Sequence, residues 1–373
     1  MPEGISESIS IKNIIMQGGV FGSLQCTTSI DKLAKEVYSR PELLYMYKGV
    51  AAVPPLLMVD DILTVSKCST TASAMSATVN AFIENKKLKL SHKKCCVIHV
   101  GKSTGRCPEQ EVRGKLMHRE NSAKYLGNIF HSNGKTNATL VERCAKAHAI
   151  LADIRTILQD VPLGKYKTQA GLQLRQSMFI NCVLFNIEVW QGMNSTDITM
   201  LNTIDHQLMK VICNGHSITP SESYYLETAA IPIKHIITSH RIMYLHNIQN
   251  RSEGELVRRV YTAQKNNPTR GDFIELVKQV FQDFCEPFYE EAILLENKNT
   301  FKSCIKKKIK ETVFTKLKDI QKSHSKIRDI KYEKFKIQPY LSSFLLTTDM
   351  TKILFNMRSL MTKKLQMQLF FHV

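Results

Sequence analysis

The chain has 373 residues, enough for one large or two to three ordinary domains, and with 43% of them hydrophobic it is expected to bury cores rather than stay disordered. Lys and Arg number 51 against 33 Asp and Glu, so the formal charge of +18 suits a polyanion such as nucleic acid, with an anionic membrane surface as the competing partner. Ten cysteines without a paired CxxC fit reduced, intracellular thiols and give no zinc spacing, and the start Met1-Pro2-Glu3-Gly4 lacks the basic and apolar regions of a secretory signal.

Gly18, Gly19 and Gly22 predict a flexible loop feeding a helix over Ser29–Val37. Leu43–Val53 reads as extended, with Tyr45 and Tyr47 on one face. Next comes Leu56-Leu57-Met58-Val59-Asp60-Asp61-Ile62-Leu63-Thr64-Val65, an acidic pair between two strand-length apolar runs. Side chains alternate faces within a strand, so adjacent carboxylates converge on one cation only where the chain turns, and the pair is expected at a two-residue hairpin tip. Crowded anions there would suit a hard divalent ion, Mg²⁺ or Mn²⁺. An Asp-containing turn with no metal is the plainer alternative. The apolar stretch Val50–Val65 is broken by Pro54-Pro55 and by the acids, and falls short of the ~18 apolar residues of a membrane span.

A helix is predicted over Ser69–Lys87, with Ser69, Thr70 and Thr71 as candidate caps and Met75, Val79, Phe82 and Ile83 inside. Short strands follow at Cys95–Val100 and Lys124–Phe130, the latter ahead of an Asn133-Gly134 turn. From Asn137 the texture is helical. The first helix carries Leu140, Val141, Cys144, Ala147, Leu151, Ile154 and Leu158, and others are expected over Leu172–Gln191, Thr196–Cys213, Ile233–Asn250 and Asp272–Glu296. Trp190 should anchor the helical core. His235, His240 and His246 read as ordinary helix histidines, because they lack an i, i+4 ligand pair. Lys298–Lys336 holds 14 Lys and Arg against four acids, with Phe301, Ile305, Ile309, Val313, Leu317 and Ile320 along one stripe. Such a basic amphipathic helix can serve phosphates, a membrane surface or a partner groove.

The order of these landmarks resembles the palm and thumb of a non-LTR retrotransposon reverse transcriptase. Gln17-Gly18-Gly19-Val20-Phe21-Gly22-Ser23 is similar to the glycine loop of motif B, where the resemblance places Gln17, Gly18 and Gly19 against template and incoming nucleotide. Met58-Val59-Asp60-Asp61 resembles motif C, with Met58 where the family usually has an aromatic residue. Leu88–Gly101 is similar to motif D, and Lys94 best matches its lysine, a candidate acid for the leaving pyrophosphate, with Lys93 as the alternative. Lys124-Tyr125-Leu126-Gly127 resembles motif E, which implies a primer grip by Tyr125, Leu126 and Gly127.

The resemblance implies an α+β fold: a partial right-hand palm over residues 1–135, with an antiparallel sheet and a catalytic hairpin, then a mainly α-helical remainder. That remainder is expected to divide into a thumb-like region over 136–215, a helical region over 216–297 and a basic helical tail over 298–373. It implies an RNA template, a DNA primer and deoxynucleoside triphosphates as partners, and two Mg²⁺ or Mn²⁺ ions in the complete enzyme. Asp60 is the expected direct metal ligand with Asp61 supporting it. The family's further aspartate belongs to motif A, upstream of the glycine loop. Only Glu3 and Glu7 precede Gln17 here, outside any apolar strand, so the chain is expected to be inactive alone. A noncatalytic nucleic-acid-binding remnant is the alternative. Either would act inside the cell, in nucleus or cytoplasm, away from the membrane.

Overall fold

The computed structural model describes residues 22–101, 110–112, 114–162, 165–190, 193, 195–216, 218–284 and 297–324. The fold is mixed α+β and mainly helical, with small sheets that never exceed two strands among the described residues. The chain divides into two units, Met1–Tyr125 with Gly254–Ala263, and Leu126–Glu253 with Gln264–Val373.

The first unit is organised by two helices. Helix α1 (Gly22–Tyr38) buries Ile30, Leu33 and Val37, and α2 (Ser69–Asn85) buries Met75, Thr78, Phe82 and Ile83, the helical spacing that the sequence shows. The residue capping α2 is Cys68, one place before the predicted Ser69. Leu33, Val37, Leu43, Met75, Phe82 and Ile83 form one cluster, with Leu44, Leu57, Ile62, Val79 and Leu90 packed against it. Burying each such side chain stabilises the unit by roughly 1.5–3 kcal/mol before entropy is counted.

Strands β1 (Tyr45–Tyr47) and β2 (Ala51–Val53) form one antiparallel pair, and β3 (Leu56–Met58) and β4 (Asp61–Leu63) form another. Three-residue hairpins are marginal alone. The β3–β4 hairpin is held because its central register pair, Leu57 and Ile62, lies on the cluster. Further along, β5 (Cys96–Val97) is shorter than the predicted strand and runs parallel to β8 (His118–Arg119). Between these two, β6 (Glu111–Val112) pairs with β7 (Lys115–Leu116).

The predicted strand Lys124–Phe130 is interrupted. Strand β9 (Ser122–Tyr125) ends at a Leu126-Gly127 turn, where the first unit gives way to the second, and β10 (Asn128–His131) follows. Both turn residues have positive φ, 46° and 78°, the pattern of a type I′ turn. Leucine at such a position is no turn signal, which is why the sequence reads straight through it.

In the second unit, α3 (Asn137–Gln159) buries Leu140, Cys144, Ala147, Leu151, Ile154 and Leu158, whereas Val141 is 64% exposed and does not belong to the buried face. The helix expected over Leu172–Gln191 is broken up. It becomes α4 (Lys165–Leu174), a π-helical turn (Arg175–Ile180), α5 (Asn181–Val183) and a 3-10 turn (Ile187–Val189), with Asn186 left-handed at φ 60°. Then come α6 (Ser195–Ile212), α7 (Ser221–Thr228), α8 (Ile233–Gln249), α9 (Leu256–Asn266), most of which belongs to the first unit, α10 (Phe273–Phe284) and α11 (Lys298–Ser323). Helix α6 packs on α3, α7 and α8, and Trp190, 1% exposed, donates its indole N–H to Asn128 Oδ1 at 3.3 Å.

A buried ion pair joins these helices. Arg175 donates from Nε and Nη2 to the two carboxylate oxygens of Asp205, at 2.7 and 2.8 Å, and from Nη2 to the Ile231 carbonyl at 2.9 Å. Tyr225 Oη (2.8 Å) and the Ile233 N–H (3.3 Å) also donate to Asp205 Oδ2. Burial opposes the charge on Arg175, but the Asp205 carboxylate outweighs it and holds the guanidinium pKa above its ordinary value. Burial first, and the same carboxylate second, drive the Tyr225 phenol well up.

Helix α11 is capped by Asn297, whose side chain accepts from the Asn299 and Thr300 amides. It buries Phe301, Ile305, Ile309, Val313, Leu317 and Gln321 against α7 and α8, with Phe301 stacked 4.1 Å from the His246 ring. The stripe keeps a strict four-residue step, so Gln321 is buried and the predicted Ile320 is 42% exposed.

Candidate metal and nucleic-acid site

The acidic pair does lie on a tight hairpin, but one residue out of the expected phase. Met58 pairs with Asp61, so the two-residue tip is Val59-Asp60, and Asp61 opens β4. Both carboxylates are exposed. Val59 carries the backbone cost: its φ is 55°, and Asp60 has no positive φ, the type II′ pattern that favours glycine at the first tip position. A β-branched residue at positive φ is a genuine outlier, costing on the order of 1–3 kcal/mol, and such residues cluster at functional sites.

Two neighbours hold this hairpin, one at its tip and one at its base. The Cys26 thiol of α1 donates to the Val59 carbonyl at 3.1 Å, and burial, then the nearby Asp60 carboxylate, push that thiol's pKa up. At the base, Tyr125 at the end of β9 donates from its hydroxyl to the Leu56 carbonyl at 3.2 Å. Burial and then Asp61 raise the Tyr125 pKa, so a residue of the expected primer grip lies within electrostatic reach of the acidic pair. Tyr125 therefore braces the hairpin through a backbone carbonyl.

The remaining expected residues are placed less closely. Gln17, Gly18 and Gly19 lie outside the described residues. Lys94 ends a short 3-10 turn (His92–Lys94), where its amide bonds the Ser91 carbonyl; its ammonium is exposed and makes no hydrogen bond or ion pair among the described residues. The segment is anchored upstream by Leu90, which packs on the cluster that also takes Leu57 and Ile62.

Leu126 and Gly127 form the turn after β9, and residues that sequence reading did not single out hold it. Buried Arg143 of α3 donates from Nη2 to the Gly127 carbonyl at 2.6 Å and from Nη1 to the Cys182 carbonyl at 3.1 Å, and its guanidinium lies 5.5 Å from the Phe185 ring centre. Asn186 Nδ2 donates to the Leu126 carbonyl at 3.2 Å. A Cβ on Gly127 would come within 3.1 Å of Phe185 and 3.3 Å of Arg143. Arg143 on the buried side of a helix was the one available signal, since an arginine there needs partners.

Asp60 and Asp61 supply exposed hard oxygen donors of the kind a divalent ion takes, one at the tip and one at the start of β4. No group of three or more His, Cys, Asp or Glu with metal-binding geometry exists among the described residues, so the carboxylates of a two-ion cage are not assembled there. No helix among them is long and apolar enough to cross a membrane. No protein-family profile, curated protein or solved structure matches this chain.

Proposed function

We propose that this chain is part of an RNA-directed DNA polymerase of the non-LTR retrotransposon type, and that its β3–β4 hairpin is the metal-holding element of the palm. The observation that carries the reading is the exposed Asp60-Asp61 pair at a two-residue hairpin whose preceding residue, Val59, is held in a strained conformation. Folding alone does not call for valine at positive φ followed by two adjacent anions. A hard divalent ion bound there would draw negative charge out of the attacking and leaving oxygens of nucleotidyl transfer. Asp60 at the tip would be the direct ligand and Asp61 the supporting one. Tyr125 keeps the hairpin in place, and Lys94, exposed and unengaged, is free to meet a phosphate. The β3–β4 hairpin, α1 and α2 correspond in this reading to the palm, and the helices from α3 onward to the thumb and the region after it.

Because only two carboxylates gather at the hairpin among the described residues, the chain alone should bind template and primer but extend them at or near background. The test is incorporation of dTTP on poly(rA)·oligo(dT) with Mg²⁺ or Mn²⁺, alongside duplex binding measured across salt concentrations. Binding without synthesis is expected. Robust synthesis lost in Asp60→Asn would overturn the claim of an incomplete cage, and failure to bind the duplex even at low salt would overturn the polymerase reading. The noncatalytic nucleic-acid-binding alternative is favoured by the same shortage of carboxylates, and predicts that divalent ions bind no better to the wild type than to Asp60→Asn.

A further inference from the structure

Helix α11 carries nine lysines and two acids, Glu311 and Asp319. Six of the lysines, Lys298, Lys302, Lys306, Lys310, Lys318 and Lys322, fall on a single four-residue row, interrupted only by Phe314. That row lies beside the buried row formed by Phe301, Ile305, Ile309, Val313, Leu317 and Gln321, one position further along the helix. At 1.5 Å per residue the lysines recur about every 6 Å and span about 36 Å. All are exposed except Lys318, which is half-buried with its ammonium 5.1 Å from the Phe314 ring centre, and Lys322 shares its charge with Asp319 at 3.3 Å.

Local stability does not account for this row. Like charges four residues apart destabilise a helix by roughly 0.2–0.5 kcal/mol per pair, and four such pairs are stacked here, at 298–302, 302–306, 306–310 and 318–322. A run of costly choices that packing does not require signals an external counter-charge. The apolar face of the same helix is committed to α7 and α8, so beyond Ile320 and the half-buried Phe314 it has no continuous hydrophobic surface with which to lie in a bilayer or fill a partner's groove. At 3.6 residues per turn a four-residue row advances about 40° around the axis at each step, so Lys298, Lys302, Lys306 and Lys310 share one side of the helix over about 18 Å, and Lys318 and Lys322 have turned away from it. Double-stranded DNA presents about one negative charge per 1.7 Å of axis, so that side can meet several phosphates.

We propose that the Lys298–Lys310 stretch of this row is a docking rail for the phosphate backbone of a nucleic-acid duplex. It rests on the nucleic-acid reading above and adds the face that holds the duplex. Phosphate contacts of this kind fix position and orientation without reading bases, so the rail should show no sequence preference.

The test uses the full chain and a 20-bp duplex, with Kd measured from 50 to 200 mM salt. Lys302→Gln/Lys306→Gln/Lys310→Gln removes three rail charges, and Lys307→Gln/Lys308→Gln/Lys322→Gln removes three exposed charges that lie outside the rail's arc on the same helix. Glutamine keeps the helix propensity close to that of lysine. The rail triple is expected to lower the slope of log K against log salt by about 2.7 and to weaken binding on the order of 100-fold near 0.15 M salt, while the charge-matched triple lowers the slope by less than about 1. Equal effects of the two triples on a duplex that still binds would overturn the rail and leave the nucleic-acid reading standing. Retention of phosphatidylserine vesicles with no duplex binding would overturn both. Circular dichroism of the two triples guards against unfolding, and a rail triple that folds and binds like the wild type also contradicts the proposal.

Discussion

Replacing Asp205 with alanine tests whether the buried ion pair holds the second unit together. The Asp205 carboxylate is 0% exposed and accepts four hydrogen bonds: two from Arg175, one from Tyr225 and one from the Ile233 amide. Alanine leaves the Arg175 guanidinium, 6% exposed, with the Ile231 carbonyl but no counter-charge, and removes the acceptor of a buried tyrosine hydroxyl. Stranding one ion of a buried pair costs about 3–5 kcal/mol. At roughly 2–4 °C per kcal/mol for a unit of this size, the midpoint should fall on the order of 10 °C. Trp190, the chain's one tryptophan, is buried in the same unit, so its fluorescence during urea unfolding reports that unit specifically. The triple replacement Arg175→Met/Asp205→Leu/Tyr225→Phe removes charge, counter-charge and stranded hydroxyl together, and should recover most of the loss. A cost below about 1 kcal/mol for Asp205→Ala, or a triple variant no more stable than Asp205→Ala, would refute the reasoning.

Three further outcomes follow from the same structure. Cys68 is exposed, and hydrogen bonds with Thr70 and Thr71 bring its thiol down to about 7, whereas burial pushes Cys213 to about 12, so iodoacetamide near pH 7 should modify Cys68 well before Cys213; a Cys68 alkylation midpoint near the ordinary thiol value would contradict this. Burial, with Lys234 and Lys316 nearby, lowers the His235 pKa to about 3, so between about pH 6.5 and 3 the unfolded chain takes up a proton that the folded chain refuses. Stability should therefore fall as pH drops through that window, by up to ~1.4 kcal/mol per unit from this group, and His235→Leu should flatten the profile against wild type; parallel profiles would count against it. Val59→Gly should relieve the positive-φ strain and leave the protein as stable as wild type or more so by about 1 kcal/mol, while a loss above that size in urea unfolding would show that the tip is not strained.

Helices whose burial follows the 3.6-residue period were legible in the sequence. The Met75–Ile83 face of α2 and the Leu140–Leu158 face of α3 appear as read, because each helix has only one apolar side to bury. Val141 and Ile320 were misassigned for a common reason: an apolar residue at the margin of a stripe is as readily exposed as buried, and the neighbouring elements decide. The break in the Leu172–Gln191 helix was not legible at all. The π turn begins at Arg175, whose partner Asp205 lies 30 residues away, and nothing local announces that pairing.

The acidic hairpin was legible as a hairpin but not in its phase. Sequence preference places turn-forming residues at the tip, and here valine occupies the position that prefers glycine. That conflict between local preference and adopted structure is itself informative, since it falls immediately before the two carboxylates. The support given to the Leu126-Gly127 turn by Arg143 and Asn186 is tertiary, and no window around Tyr125-Leu126-Gly127 contains it.

The most direct measurement is Mn²⁺ titration of the full chain, read from the electron paramagnetic resonance signal of the free ion, for wild type, Asp60→Asn, Asp61→Asn and the double variant. Wild type should bind one ion weakly at the hairpin. Asp60→Asn should abolish that binding, and Asp61→Asn should weaken it, with the fold unchanged by circular dichroism. A titration that is the same in wild type and the double variant would mean that the carboxylates are a solvated turn and hold no metal.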